Sequence, residues 1–485
     1  MRKRFEQQLT IGKLLIGDTA IPTAKRSGAL PSLCAALKEI FTSPQWNTKV
    51  FEILDRAILP KNNNTGRPGM DLWQIFVLSQ IRLCQNISYD ELHHIANYDT
   101  LIRQLMGVET ESGYEKETIG YQRIIDNVGL LTDETVKELN LLIIAFGHGV
   151  FKKKDTEALR LKTDSFVVES NVHFPTDYNL LWDSARKCLD MVGKLLGEQD
   201  LSGWRKLNDW RKSLKNLSRA MGVASASGGK GKEKRVKNAA ENYLIKARAL
   251  LRKLEEFKIE FQPSSSEHTF ILIALDRYMA LLKKHIDLVD RRILKEEMIP
   301  HAEKMFSIFE DYTEWIKKGK KRPNVELGKK VGITTDQFHI IVDYQVMDHE
   351  ADSQIIPELA GRLLPQFIVD SWSFDKGYWH KDNKKLLLEK VNQLVLPKKG
   401  KRNKEEAVEE KTKLFKKLRN KHSAVESNIN ELEHRGLDRC PDRGYAHFKR
   451  YVGLAVCAFN LRKIGAELIA RGIKNQKTSV RKQAA

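Results

Sequence analysis

Over the first 150 residues the apolar positions recur at helical spacing. Beyond residue 160 they gather in short runs separated by charged stretches. Leu72, Ile75, Phe76, Leu78, Ile81 and Leu83 predict a strongly apolar helix after the turn-forming break Asn62–Gly69. Ser88, with Glu91 three residues on, predicts a capping box that opens a helix carrying Leu92 and Ile95. Leu101 and Leu105 before Gly107 predict a third, short helix. More helix is predicted over 117–150, with Thr132 as N-cap and with Asp133 and Glu134 at the positive end of the helix dipole.

The segment Leu161–Ser170 is rich in β-branched and aromatic residues and predicts a strand, and Pro175 and Asp177 end a second short extended piece. From 178 to 316 the pattern is helical and highly charged, with one exposed loop, Ala224–Lys232. Strands are predicted at Phe338–Val346, Phe367–Trp372 and Leu394–Leu396, with a helix over 352–362 among them. Helices follow over 405–434 and 445–471, then a polar, basic tail. The chain therefore reads as a helical amino-terminal domain (1–155), an α/β domain in two pieces (156–182 and 333–471), a helical insertion (183–332) and a basic tail (472–485). No internal repeat is evident.

Charge changes this picture from architecture towards a partner. Lys and Arg number 83 against 63 Asp and Glu, a formal charge of +20 on 485 residues. Such an excess attracts polyanions, and neutralising phosphates releases counterions, so nucleic acid is the leading partner. The five cysteines, Cys34, Cys84, Cys188, Cys440 and Cys457, are scattered and form no C-x-x-C pair, which argues against a disulfide framework or a zinc site. No apolar run reaches ~18 residues, and the basic start leads into no apolar signal core. A cytoplasmic, nucleoid-associated protein with no membrane partner is expected.

Three acids stand where phosphodiester chemistry needs them. Asp164 lies on the first predicted strand, Asp375 follows the Phe367–Trp372 strand, and Glu426 flanks the Val425, Ile429, Leu432 stripe of a helix. Hard cations such as Mg²⁺ take oxygen ligands and keep some waters, so a few carboxylates and the substrate phosphate suffice. Two such ions about 4 Å apart can activate an attacking oxygen and stabilise the leaving one. Asp370 rivals Asp375, because it directly follows the apolar Phe367-Ile-Val. Glu431 rivals Glu426 from another helical face. His173, Glu169 and Asp177 lie near Asp164 and read as turn, packing or supporting residues.

The stretches Asp164–Asp177, Ser373-Phe-Asp-Lys-Gly-Tyr378 and His422-Ser-Ala-Val-Glu-Ser427 resemble the three catalytic motifs of DDE insertion-sequence transposases. The third is trailed, as in that family, by Gly436–Gly444 and Leu454–Leu461. The ISNCY-type group is the one most resembled, and Gly66-Arg67-Pro68 with the helices after it resembles its amino-terminal, DNA-binding domain. The resemblance implies an RNase H-like fold, with Asp164, Asp375 and Glu426 as catalytic residues holding Mg²⁺, for which Mn²⁺ substitutes. It also implies double-stranded DNA partners, the terminal inverted repeats and a target, and a homodimer in the DNA complex. The long first spacing is accommodated by the helical insertion. One departure stands out. Where related enzymes often place Tyr and Arg before the catalytic Glu and Lys after it, this chain has Arg419, His422 and Glu433.

Lys376, beside Asp375, together with Arg419 and His422, are candidate phosphate contacts. The cluster Lys398, Lys399, Lys401 and Arg402 lies between the second and third acids and is the basic stretch expected nearest the chemistry. Lys317–Arg322 and Lys230–Lys237 are further candidates for tracking a DNA backbone. Two other functions fit the same residues: a Mg²⁺-dependent nuclease that cuts without joining, and a catalytically silent DNA-binding protein.

Overall fold

The computed structural model describes residues 11–23, 28–58, 69–196, 204–317 and 324–483, with side chains to residue 475. The Gly66-Arg67-Pro68 break and most of the Lys317–Arg322 cluster lie outside the described residues. The described chain is α/β and divides into two compact units, one of residues 1–171 with 316–485 and one of residues 172–315.

The first unit opens with seven helices: α1 (Leu30–Thr42), α2 (Pro44–Ile58), α3 (Leu72–Gln85), α4 (Tyr89–Tyr98), α5 (Thr100–Leu105), α6 (Tyr121–Val128) and α7 (Asp133–Val150). Local chemistry sets their ends. Both halves of the Ser88–Glu91 capping box form at the start of α4, and the Thr132 hydroxyl accepts from the Thr135 amide at the start of α7. Asn86, with φ of 52°, closes α3. Helix α3 is buried on every side from Leu72 to Cys84, its few polar residues included, so it forms the centre of this layer. Trp73 packs there against Phe41, Phe51 and Phe76 and donates its indole N–H to the Leu105 carbonyl at 2.8 Å.

Strand β1 (Leu159–Ser170) then enters a mixed sheet. The second unit follows and is helical: α8 (Asp177–Leu195), α9 (Leu207–Ala226), α10 (Lys232–Glu260) and α11 (Ser266–Val289). These helices share a core of Leu181, Leu189, Leu214, Tyr243, Leu250 and Leu282. Asp177 opens α8 rather than ending an extended piece, because Thr176 caps that helix by accepting from Asn179.

The chain returns through β2 (Glu314–Lys317), β3 (Val325–Thr335), β4 (Ile341–Val346), α12 (Ile356–Leu363), β5 (Val369–Phe374), α13 (Lys381–Leu388), β6 (Gln393–Val395), α14 (Lys404–Glu409), α15 (Lys413–Asn420), α16 (Ser423–Leu432), β7 (Arg439–Cys440) and α17 (Tyr445–Gln483). Sheet order is β2-β3-β1-β5-β6, with β4 also paired to β3 and β7 to β1. β1 is antiparallel to β3 and parallel to β5, and β5 is parallel to β6.

Three expectations change. β3 occupies residues read as the end of the helical insertion. Its Gly328 is required by close approach: a Cβ there would fall 1.9 Å from the Val168 carbonyl oxygen across the β1 pairing. The single helix expected over 405–434 is three helices: Asn403 caps the first, Thr412 caps a new start at Lys413, and the third begins at Ser423. The last helix continues through the expected tail to Gln483. α17 packs on α1, α3 and α7. At its start, Asp442 forms two bonds of 2.6 and 3.0 Å with buried Arg82 of α3, whose guanidinium also lies 4.0 Å from the Tyr89 ring. The five cysteines form no disulfide with one another and are buried. Among the described residues no helix is long and apolar enough to cross a membrane.

Candidate active site

Strand register brings the first two acids together. In the parallel β1–β5 pair, Lys162 faces Ser373 and Thr163 faces Phe374. The next residues are Asp164 and Asp375, on strands about 4.8 Å apart. Asp375 still has extended backbone (φ −76°, ψ 167°) and begins the turn Lys376–Tyr378. By the two-residue alternation of strands, Asp164 shares its face of β1 with Lys162, and Asp375 shares its face with Ser373. Ser373 bonds His422 Nδ1 at 3.0 Å, and His422 is the residue that precedes α16. α16 packs on β1 and β3 through Val425, Ile429 and Leu432, leaving Glu426 exposed in its first turn.

Electrostatics show that the three acids share one field. Burial pushes the Asp164 carboxyl up to about 7. The Ser165 amide, donating to Asp164 Oδ1 at 2.7 Å, opposes that rise, while Asp375, Glu426 and Asp352 add to it. Repulsion among carboxylates with too little positive charge between them is what a bound cation relieves.

Asp352 has no signal in the sequence, since it sits in an acidic loop between β4 and α12. It accepts from Ser165 Oγ of β1 at 2.7 Å and from Lys330 of β3 at 3.2 Å. A Cβ on Gly377 would lie 2.9 Å from Asp352 Oδ2, so this carboxylate also abuts the turn that follows Asp375. Asp352 therefore joins β1, β3 and the second acid's turn. Tyr378 closes that turn, buried against Phe374 at a ring separation of 5.4 Å. Its phenol is driven upward by burial, Asp352 and Asp164.

The rivals fall elsewhere. Asp370 lies at the opposite end of β5, where Asn392 donates to it at 3.3 Å. Glu431 pairs with Arg462 and with Lys463 at 2.9 Å. Burial works to raise its pKa, but the Lys463 and Arg462 contacts outweigh burial and hold it low. Glu431→Gln should therefore cost about 1–2 kcal/mol of stability, read by urea denaturation, with any metal-dependent cutting unchanged. A loss of cutting in a stable Glu431→Gln protein would return Glu431 to the active-site assignment.

Among the basic candidates, Lys376 and Arg419 are exposed, and so are Lys399 and Lys401. Lys398 is held by Glu406 at 2.7 and 2.8 Å and lies over the Trp379 ring, and Arg402 pairs with Glu410 at 2.7 Å. Much of that cluster's charge is thus spent within the chain. His422 is only 8% exposed. Burial lowers its pKa against the pull of Asp375, with Lys162 adding to the lowering, and its ring joins Ser373 to the start of α16. Its location makes it a positioning residue between β5 and α16. His173 and Asp177 lie in the helical unit, paired with Asp183 at 3.4 Å and Arg292 at 2.6 Å.

The carboxylates of Asp164, Asp375 and Glu426 offer only oxygen donors, which suit a hard divalent cation better than a soft one. Comparison of the chain with protein-family models, with curated proteins and with solved structures finds no match.

Proposed function

We propose that this protein is a metal-dependent DNA transposase of RNase H-like fold, with Asp164, Asp375 and Glu426 as its catalytic carboxylates and the helical unit as an insertion in that fold. The observation that carries the reading is the β1–β5 register, which sets Asp164 beside Asp375 while α16 brings Glu426 into the same field. A central strand flanked by an antiparallel and a parallel neighbour supports the RNase H-like assignment. The basic excess supports DNA as substrate.

Asp164, Asp375 and Glu426 would hold Mg²⁺, or Mn²⁺ in its place. When bound, the ions supply Lewis acidity to the scissile phosphate and to the attacking oxygen. The protein's own part is placement. Asp352, through Ser165, Lys330 and the Gly377 turn, keeps the strands carrying Asp164 and Asp375 in register. His422, through Ser373, fixes the start of the helix that carries Glu426. In this reading the protein binds the terminal inverted repeats as a dimer, hydrolyses one strand, and directs the freed 3′-hydroxyl at target DNA.

The test uses linear DNA carrying the sequences that flank this gene, with Mg²⁺ or Mn²⁺, comparing wild type with Glu426→Gln on a sequencing gel. Discrete cuts and joined products that vanish in the variant are expected. Cuts without joining would make the protein a nuclease. Binding with no cuts in either protein would make it a silent DNA-binding protein.

A further inference from the structure

A cavity of about 440 Å³ opens beside the acids, on the face of the sheet that meets α16. That volume lies within the ~300–1,000 Å³ range of ligand pockets. Its lining includes Lys162, two residues before Asp164 on β1, and Ser373, two residues before Asp375 on β5. It also includes Ser423, three residues before Glu426 on α16. Two residues of strand span about 7 Å, so the cavity begins roughly one nucleotide step from the acids.

Its chemistry is that of an anion site. Arg160, Lys162 and Lys421 line it, and no carboxylate does among the described residues. Lys162 is 9% exposed, with its ammonium held only loosely by the Arg160 and Asp336 carbonyls at 3.4 and 3.3 Å. The nearby Asp336 carboxylate is already committed to His148 at 2.8 Å and to the Phe338 and Ile340 amides. The first turn of α16 faces the cavity through Ser423 and Ala424, where helix amides favour negative charge. Another lining residue, His339, holds a φ of +63°, a left-handed conformation that costs a non-glycine residue energy and collects at functional sites.

We propose that this cavity seats a backbone phosphate and its nucleotide, one step along the DNA strand from the bond at Asp164 and Asp375. The proposal rests on the DNA-processing reading above. Arg160 and Lys421 are exposed at its mouth and reach the phosphate from solvent, and Lys162 supplies the buried charge behind them.

The experiment measures fluorescence anisotropy of a dye-labelled single-stranded 12-mer in EDTA across a salt series, so no metal or turnover is needed. Arg160→Ala with Lys421→Ala is compared with Lys381→Ala and Lys385→Ala, exposed lysines of α13 that remove the same charge. The cavity pair should weaken binding about tenfold or more. It should also make the slope of log K against log salt shallower by about 0.7, the value for one phosphate contact on a single strand. The α13 pair should match wild type. Equal losses in both pairs would mean general charge attraction and overturn the proposal. A cavity pair that binds like wild type would overturn it while leaving the DNA reading intact. A wild-type protein that does not bind the strand would overturn the proposal, and one that also fails to bind a duplex of the same sequence would remove the DNA reading with it.

Discussion

Asp164→Asn is expected to lower metal-dependent strand cleavage by about 1,000-fold or more while making the metal-free protein more stable at neutral and alkaline pH. The two effects share one cause. Partial burial, with Asp375, Glu426 and Asp352 adding their charge, pushes the Asp164 carboxyl up to about 7. An unfolded aspartate titrates near ~3.9. Between those values the folded chain binds the extra proton, so the contribution of Asp164 to stability is greatest below pH 4, falls as pH rises towards 7, and is flat above it. The total loss is about 2–4 kcal/mol. Asparagine keeps the bond from the Ser165 amide to Oδ1 and has no proton to lose, so the variant lacks this slope. Urea denaturation of both proteins in EDTA from pH 4 to 8 reads the effect. Parallel curves would show that Asp164 carries no stored repulsion, and a variant that still cuts would remove it from the catalytic set. Because cation binding favours the ionised carboxylate, Mg²⁺ uptake by wild type should release protons near pH 7, as calorimetry in buffers of different ionisation enthalpy would show.

Gly465→Ala is expected to destabilise the protein by about 3 kcal/mol, the largest effect we anticipate from adding a single methyl group. Gly465 lies where α17 crosses α1. A Cβ there would sit 1.6 Å from the Ser32 carbonyl oxygen and 2.6 Å from its carbon. Both obstacles are backbone, so no side-chain rotation relieves them and the helices must separate. Gly472, on the same helix, has nothing within 4 Å of its added Cβ. Gly472→Ala should therefore stabilise by about 0.5–1 kcal/mol, the ordinary gain of alanine over glycine inside a helix. Thermal melts of the two variants give opposite shifts if the α1–α17 crossing is as close as described. Equal shifts would show that the two helices part readily.

The elements that could be read from the sequence are those whose causes are local. Ser88 with Glu91, and Thr132 before Asp133 and Glu134, mark helix starts within four residues of chain, and both caps form. Asn403 with Glu406 carries the same signal and marks the start of α14, where the expected long helix also begins. β3 was hidden because Gly328, Lys329 and Gly332 interrupt its pattern. Buried Lys329 pairs with Asp348, just past β4, and lies over the Tyr445 ring, partners that no local pattern reveals. The Ser373–Tyr378 motif already favours Asp375 over Asp370, and the β1–β5 register sets Asp375, not Asp370, next to Asp164. Asp352 was invisible, since its partners Ser165 and Lys330 come from two other strands. The Lys398–Arg402 cluster reads as free positive charge, but Glu406 and Glu410, a few residues on, claim two of its members.

The sheet's connectivity has a consequence for how the chain is made. β1 is complete at Ser170, but its neighbours β3 and β5 begin only at Val325 and Val369. On a ribosome adding ~5–20 residues per second, β1 waits about 10–30 s for its first partner. Throughout that interval both its edges are open and Phe166, Val167 and Val168 lack their cover. The helices between, whose core is made among themselves, are translated in full before β3 and fold within the same interval. Yield in a cell should therefore depend on how fast residues 172–315 are translated and on chaperone supply at that moment, more than on the stability of the finished sheet.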